Sequence, residues 1–381
     1  MPPKGFLFSG VNCGLKKEKP DLGIIYSEKP ANWAGVFTTN AFKSAPVIVS
    51  QGKMDKKVRA LVVNSGNANA GTGKEGISDA EEMCAEVARR LGIREEEVLV
   101  ASTGVIGERL PMEKIREGIK KAVEQLSTDN FPKFAEAIMT TDTFPKIVER
   151  ELDGGRASLL GIGKGAGMIH PQMATMLVFL LTDADFPSHQ LKECLKKAVD
   201  VSFHCLSVDG DTSTNDSVFL LANGMSEMDD VISFQEALNE SCVDLAKMIA
   251  RDGEGATKLI LIKVRGARSE EEARGVGRRI AISPLVKTAF FGADPNVGRI
   301  LCAIGNFPFE TPPEVDIFIS GEKVAENGVI LKFDKERMRE FLKNNREIEV
   351  EIELKRGDSS AVVYTCDLSY DYVKINAEYT T

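Results

Sequence analysis

The stretch KGAGMIHPQMATMLVFLLTDA, Lys164–Ala184, sets a lone Thr175 between a glycine-rich lead-in and an apolar run. A threonine that opens a buried strand is ordinarily structural, because β-branched residues suit strands. The surroundings allow a second chemistry. A threonine hydroxyl is a weak nucleophile unless a base sits beside it. The only histidines are His170, His189 and His204, none at an obvious place for that base. Cleavage of the Ala174–Thr175 peptide would create an α-amine on the threonine itself. Such an amine has a pKa of about 7.7–8.0, suited to moving protons near neutral pH. Glycines ahead of the bond would let the backbone take the strained shape in which the hydroxyl reaches its own preceding carbonyl.

Four other stretches invite chemistry. GIGKGAG (Gly161–Gly167) partly matches a dinucleotide-binding fingerprint. That fingerprint needs a helix opening directly after it, and here a proline and a strand-like run follow. SVDGDTSTNDS (Ser207–Ser217) places Asp209, Asp211, Ser213 and Asn215 at alternate positions, as in a calcium loop. Position six is Thr214 and position twelve Leu220, where such a loop wants glycine and glutamate. The bland reading is a turn whose side chains satisfy its own backbone, with a bracing role at the active site left open. VNSGNANAGTGKEG (Val63–Gly76) and ASTGVIG (Ala101–Gly107) each leave a strand for small residues, either as tight turns or as site loops. The seven cysteines, Cys13, Cys84, Cys194, Cys205, Cys242, Cys302 and Cys366, are scattered without a CxxC pair. Their odd count and wide spacing suit reduced, buried thiols, and neither a metal nor a cofactor is expected.

The elements that must hold these residues alternate between helix and strand. Ala80, Met83, Cys84, Val87, Ala88 and Leu91 recur at helical spacing behind a capping box at Ser78–Glu81. A second box, Ser233–Glu236, precedes the stripe Leu238, Cys242, Leu245 and Ile249. Ile115, Ile119, Val123 and Leu126 mark a further helix, and Leu191, Leu195, Ala198 and Val199 another. Strands are expected at Ala60–Asn64, Glu97–Ser102, Met176–Leu181, Leu259–Val264 and Ala361–Thr365, several of them apolar throughout, as strands covered on both faces should be. Ile348, Val350, Ile352 and Leu354 alternate with glutamates. This pattern is α/β. The 381 residues exceed what one core usually holds, so two domains or one large unit are expected. The net charge of −9 argues against nucleic acid or an anionic membrane as the main partner. Without a signal-peptide pattern or a membrane-length apolar run, the expected compartment is the cytoplasm.

Several blocks together resemble the ornithine acetyltransferase family, arginine-biosynthesis enzymes that process themselves at an Ala-Thr bond. They are GVFTTN (Gly35–Asn40), VVNSGNANAGTG (Val62–Gly73), STGVIG (Ser102–Gly107), TTDTFPK (Thr140–Lys146), KGAGM with MATML, SVDGDTSTNDS, DGEGATK (Asp252–Lys258), SPLVKTAFFGADPNVGR (Ser283–Arg299) and CDLSYDYVKINAEYTT (Cys366–Thr381). They span nearly the whole chain in the family's order.

The resemblance implies a layered sheet-and-helix sandwich with a second, smaller α/β domain. It also implies fragments 1–174 and 175–381 that share one folded body and pair as a heterotetramer of two copies each. Thr175, freed by cleavage after Ala174, is similar to the family's nucleophile, and Thr103 and Gly104 to its oxyanion-hole pair. Thr140, with Thr141 as the fallback, and Lys164, Glu254, Asn376 and Thr381 match residues that hold substrate with Thr175. His170 is given no role. The implied reaction moves acetyl from N2-acetylornithine to glutamate through a threonine ester. Lys164 would face the α-carboxylate, with Glu254 or the Thr381 carboxylate facing the δ-ammonium. Members differ in whether acetyl-CoA also serves, and no residue here separates them. A carboxylate that welcomes ornithine's ammonium should repel glutamate's γ-carboxylate, so glutamate must find another cation or bind less tightly. Two rivals stand beside this reading: an N-terminal-nucleophile aminopeptidase or amidase passing acyl groups to water, and a binding protein in which Thr175 is structural.

Overall fold

The computed structural model describes residues 2–170, 176–311 and 313–378. Ala174, Thr175 and Thr381 lie outside the described residues. The first eight strands are β1 (Phe6–Val11), β2 (Leu22–Phe37), β3 (Val58–Asn67), β4 (Val98–Val105), β5 (Lys146–Leu152), β6 (Ala157–Lys164), β7 (Leu177–Thr182) and β8 (Ser217–Ala222). They form one sheet in the order β4-β3-β2-β8-β7-β6-β5, with β1 also on β2. β2 is its spine. Leu22–Tyr26 pairs with β3 and β1, Asn32–Phe37 pairs with β8, and a register shift between Tyr26 and Ala31 divides the two halves.

The halves share one apolar layer. Ile25, Leu61, Val63 and Leu99 from the first meet Leu160, Ile162, Phe179 and Phe219 from the second. Phe134 packs edge-on to Phe179 at 5.2 Å, and Phe179 stacks on Phe219 at 5.6 Å. Such aromatic pairs add roughly 0.5–1.5 kcal/mol beyond their buried area. Helices α1 (Ala45–Gln51), α2 (Gly73–Leu91) and α3 (Met112–Glu124) cover the outside of β2–β4. α4 (Phe131–Ala137) carries Phe134, while α5 (Ser188–Asp200) and α6 (Val231–Arg251) cover the outside of β6–β8. The layering is therefore helix, sheet, sheet, helix.

The smaller unit contains β9 (Leu259–Ala267), β10 (Asp316–Ile319), β11 (Glu322–Glu326), β12 (Val329–Ile330), β13 (Glu347–Glu353) and β14 (Ser359–Cys366), in the order β12-β11-β10-β13-β9-β14. Its helices are α7 (Glu270–Ala281), α8 (Pro284–Phe291), α9 (Val297–Gly305), α10 (Lys335–Asn344) and α11 (Tyr370–Glu378). Ile348, Val350 and Ile352 face inward with no exposure, while Glu349 and Glu351 pair with Lys263 and Arg265 across β9. One apolar cluster runs from α5 and α6 through β9 to α7 and α9, so the two units share a core. Among the described residues no helix is long and apolar enough to cross a membrane.

The helical stripes fall on core faces, but both expected capping boxes are misplaced. α2 begins at Gly73, leaving Ser78 inside it. Its first turn lies so close to Asn69 and Thr72 that a Cβ on Gly76 would meet Thr72 Oγ1 at 1.9 Å, so those glycines serve the helix rather than a turn before it. α6 begins at Val231, capped by the Asp230 carboxylate, which accepts from the Ile232 and Ser233 amides. Glu97 belongs to a 3-10 turn and β4 starts at Val98. β7 starts at Leu177, because Asp216 takes the Met176 amide. GIGKGAG is mostly strand: Gly161 and Gly163 lie in β6, where Leu245 packs against their bare backbone.

Candidate active site

Because β2 changes partners midway, the C-terminal ends of β3, β4 and β6 gather where β5 and β8 begin. A cleft opens there, lined by Thr103, Gly104, Thr140, Thr141, Lys164, Gly167, Ser213, Asn215, Glu254 and Asn376, among others. Thr103, Gly104, Thr140, Lys164, Glu254 and Asn376, brought forward from five separate parts of the sequence, thus share one wall-to-wall space. Thr175 and Thr381 lie outside the described residues.

Lys164 ends β6 and is 2% exposed. Its ammonium donates to Thr140 Oγ1 at 2.8 Å and to Thr103 Oγ1 at 3.3 Å, and stands 4.0 Å from Asp142 Oδ2. This contact favours Thr140 over its neighbour Thr141 as the threonine working with Lys164. Burial lowers the Lys164 pKa, Asp142 pulls it back up, and Lys146 lowers it again.

Gly104 sits at φ 131° at the end of β4, and a Cβ there would meet the Gly66 carbonyl carbon at 2.3 Å. Only glycine fits this close approach of β3 and β4, where the register also shifts at Gly66 and Asn67. Across the cleft, Glu254 donates its amide to Ala166 O and accepts from Asn376 Nδ2 at 2.8 Å. A Cβ on Gly167 would meet the Glu254 carboxylate at 2.5 Å, so that glycine makes room for the acid. The cleft therefore carries a cation at one wall and a carboxylate at the other.

Reading the sequence missed the buried charges behind Lys164. Asp142 Oδ1 accepts from Lys146 Nζ and from the Gly165 amide, both at 2.7 Å, and Oδ2 accepts from the Thr140 amide at 3.0 Å. Lys146, wholly buried, also donates to Asp252 Oδ2 at 2.6 Å, and Asp252 takes the Thr143 amide. Burial alone would raise the Asp142 pKa, but the Lys164 and Lys146 cations outweigh it and hold the carboxyl well below the usual range. TTDTFPK does show the four-residue spacing of Asp142 and Lys146; Asp252, far along the chain, gives no local signal.

SVDGDTSTNDS braces this edge. Asp209 accepts from the Met168 and Ile169 amides at 2.5 and 2.8 Å, pinning the lead-in. Asn215 Nδ2 donates to Ala68 O and Ser102 O, at 2.6 and 2.8 Å, tying β8 to the ends of β3 and β4. Asp216 is fully buried, and its Oδ1 accepts the Met176 amide at 3.0 Å. Its Oδ2 meets no donor among the described residues. Burial raises its pKa well above the carboxylate norm, with Met176 and Lys164 opposing too weakly to prevent it. This buried carboxyl is thus held against the amide of Met176, the residue that follows Thr175 in the sequence. His170 Nδ1 lies 3.4 Å from Ser207 Oγ.

The ArgJ family model matches residues 7–381 of the chain. The arginine biosynthesis bifunctional protein ArgJ of Thermotoga neapolitana is 46% identical, the match covering 100% of this chain and 99% of that protein. The protein of the same name from Caldanaerobacter subterraneus subsp. tengcongensis is 48% identical, covering 100% and 98%. The crystal structure of arginine biosynthesis bifunctional protein ArgJ from Bacillus halodurans aligns with a TM-score of 0.51 at 40% identity, over 53% of this chain and 98% of that one.

Proposed function

The chain belongs to the ArgJ family, and we propose that as a bifunctional acetyltransferase of arginine biosynthesis it carries acetyl from N2-acetylornithine to glutamate through an ester on Thr175. The observation that carries this reading is the charge pattern of the cleft. Lys164 on one wall suits the donor's α-carboxylate, and Glu254 on the other suits its δ-ammonium.

Cleavage after Ala174 gives Thr175 an α-amine. That amine takes the hydroxyl proton as Oγ attacks the acetyl carbonyl carbon. Charge develops on the carbonyl oxygen, and the Thr103–Gly104 pair stabilises it, often the largest catalytic contribution. The C–N bond breaks, the proton passes to ornithine's nitrogen, and ornithine leaves. Glutamate's amine then attacks the ester and restores the threonine hydroxyl. Acetyl-CoA, in members that use it, would load the same oxygen by releasing its thiol.

Purified active enzyme is expected to run as two fragments on a denaturing gel, the 175–381 fragment having an N-terminus that reads Thr-Met-Leu-Val. Full activity in an intact chain would overturn the mechanism. Turnover of acetylornithine that does not depend on glutamate would favour hydrolysis instead. Asn376→Ala removes the donor that holds Glu254 Oε2. It should raise KM for acetylornithine about five- to tenfold, roughly 1 kcal/mol, with self-cleavage unchanged. An unchanged KM would remove α11 from substrate binding.

A further inference from the structure

A second cavity, of about 450 Å³, opens where β9 and β13 begin, and none of its lining residues lines the cleft. Arg251, Lys258, Arg346 and Glu347 face it. Lys258 is only 8% exposed, yet among the described residues its side chain has no hydrogen-bond or ion-pair partner. Its ammonium is not among the sealed polar atoms, so it reaches the cavity space. Arg346 is likewise unpartnered through its side chain, and Arg251 is held by Glu347 at 3.0 Å. Three cations therefore meet one carboxylate.

A mostly buried lysine that lines a cavity and, among the described residues, meets no acceptor is free to take an anion from solution. The bland explanation is that Lys258 caps the end of α6, but it bonds none of that helix's last carbonyls; Asp252 and Gly253 amides already take those of Met248 and Ala250. The loop is also not free to swing away. Asp367 accepts from the amides of Thr257 and Lys258 and from the Thr257 hydroxyl, and Leu259 donates to Arg346 O at 2.8 Å. The backbone that carries the two unpartnered cations is thus held in place.

We propose that this cavity binds a phosphate-class oxyanion between Lys258 and Arg346. A guanidinium grips two oxygens of an anion in its planar fork, whereas an ammonium acts as a point charge. A carboxylate would be used up by the arginine alone. A tetrahedral dianion keeps oxygens for the lysine as well. The anion is either free phosphate or the phosphate of a larger molecule.

The test is calorimetric titration of the full-length protein with sodium phosphate and, separately, adenosine 3′,5′-bisphosphate, at constant ionic strength in chloride. Saturable binding of at least one is expected, weakened about tenfold or more by both Lys258→Met and Arg346→Ala. Arg346 is exposed, so its variant tests the site even if the lysine variant folds poorly. Tighter binding of the bisphosphate assigns the site to a phosphorylated molecule, and equal binding to the free ion. No saturable binding of either, or binding that Arg346→Ala leaves unchanged, overturns the proposal.

Discussion

Lys164→Met is expected to cut acetylornithine turnover between about 30-fold and 4,000-fold, the 2–5 kcal/mol typical when one partner of a buried charge pair is lost. The fold should survive. Asp142 keeps Lys146 at 2.7 Å and the Gly165 and Thr140 amides, so no carboxylate is orphaned. Methionine is of similar length and fills the space between the two threonines. The wild-type enzyme should also show an alkaline limb. Burial lowers the free Lys164 pKa, and an arriving α-carboxylate raises it again. Substrate binding is therefore complete below the lowered value and weakens as pH rises through it, at lower pH than an ordinary lysine would give. Steady-state kinetics against pH, with N-terminal sequencing of the variant, checks both points. Near-normal turnover would reduce Lys164 to a structural lysine. A folded but uncleaved variant would assign it to processing.

The layered fold was readable because its strands advertise burial on both faces. Val178–Leu181 in β7 and Leu259–Ile262 in β9 are continuously apolar, and Ile348, Val350 and Ile352 alternate with paired glutamates. Glycine misled the reading wherever its role was to admit a neighbour. Gly161 and Gly163 look like loop residues, yet they are strand because Leu245 needs their bare faces. The same holds for Gly76 under Thr72. The site was legible only through the joint resemblance, since no spacing links Thr103 to Lys164 or Glu254 to Asn376. What remained hidden is tertiary by nature. Asp252 reaches Lys146 from 106 positions away, and Asp216 gains its significance only from the Met176 amide it accepts. In SVDGDTSTNDS the acids and hydroxyls suggested a self-satisfied turn. That holds in part, since Asp209 accepts the Asp211 amide and Ser213 Oγ the Asn215 amide, but Asp209 and Asn215 also bond the lead-in and the ends of β3 and β4.

Removing Asp142 should do more damage to stability than any change at the cleft surface. The residue lies between two buried lysines and also accepts two backbone amides. In Asp142→Ala, Lys146 retains Asp252 alone and Lys164 loses its nearest carboxylate, so buried positive charge goes uncompensated. Breaking such a pair from one side typically costs about 3–5 kcal/mol. Asp142→Asn should lose most of the same amount, because its amide preserves shape but not charge. The pH dependence follows from the depressed pKa. The native carboxyl stays ionised where the unfolded one, near 3.9, takes up a proton. Its contribution is thus fully present above about pH 5 and is lost progressively as pH falls toward the native value. Chemical denaturation across this range should show wild-type stability falling on acidification, with a flatter curve for both variants. A wild-type-like midpoint for Asp142→Ala at neutral pH would mean that Asp252 alone satisfies Lys146 and that Lys164 stands without need of a carboxylate behind it.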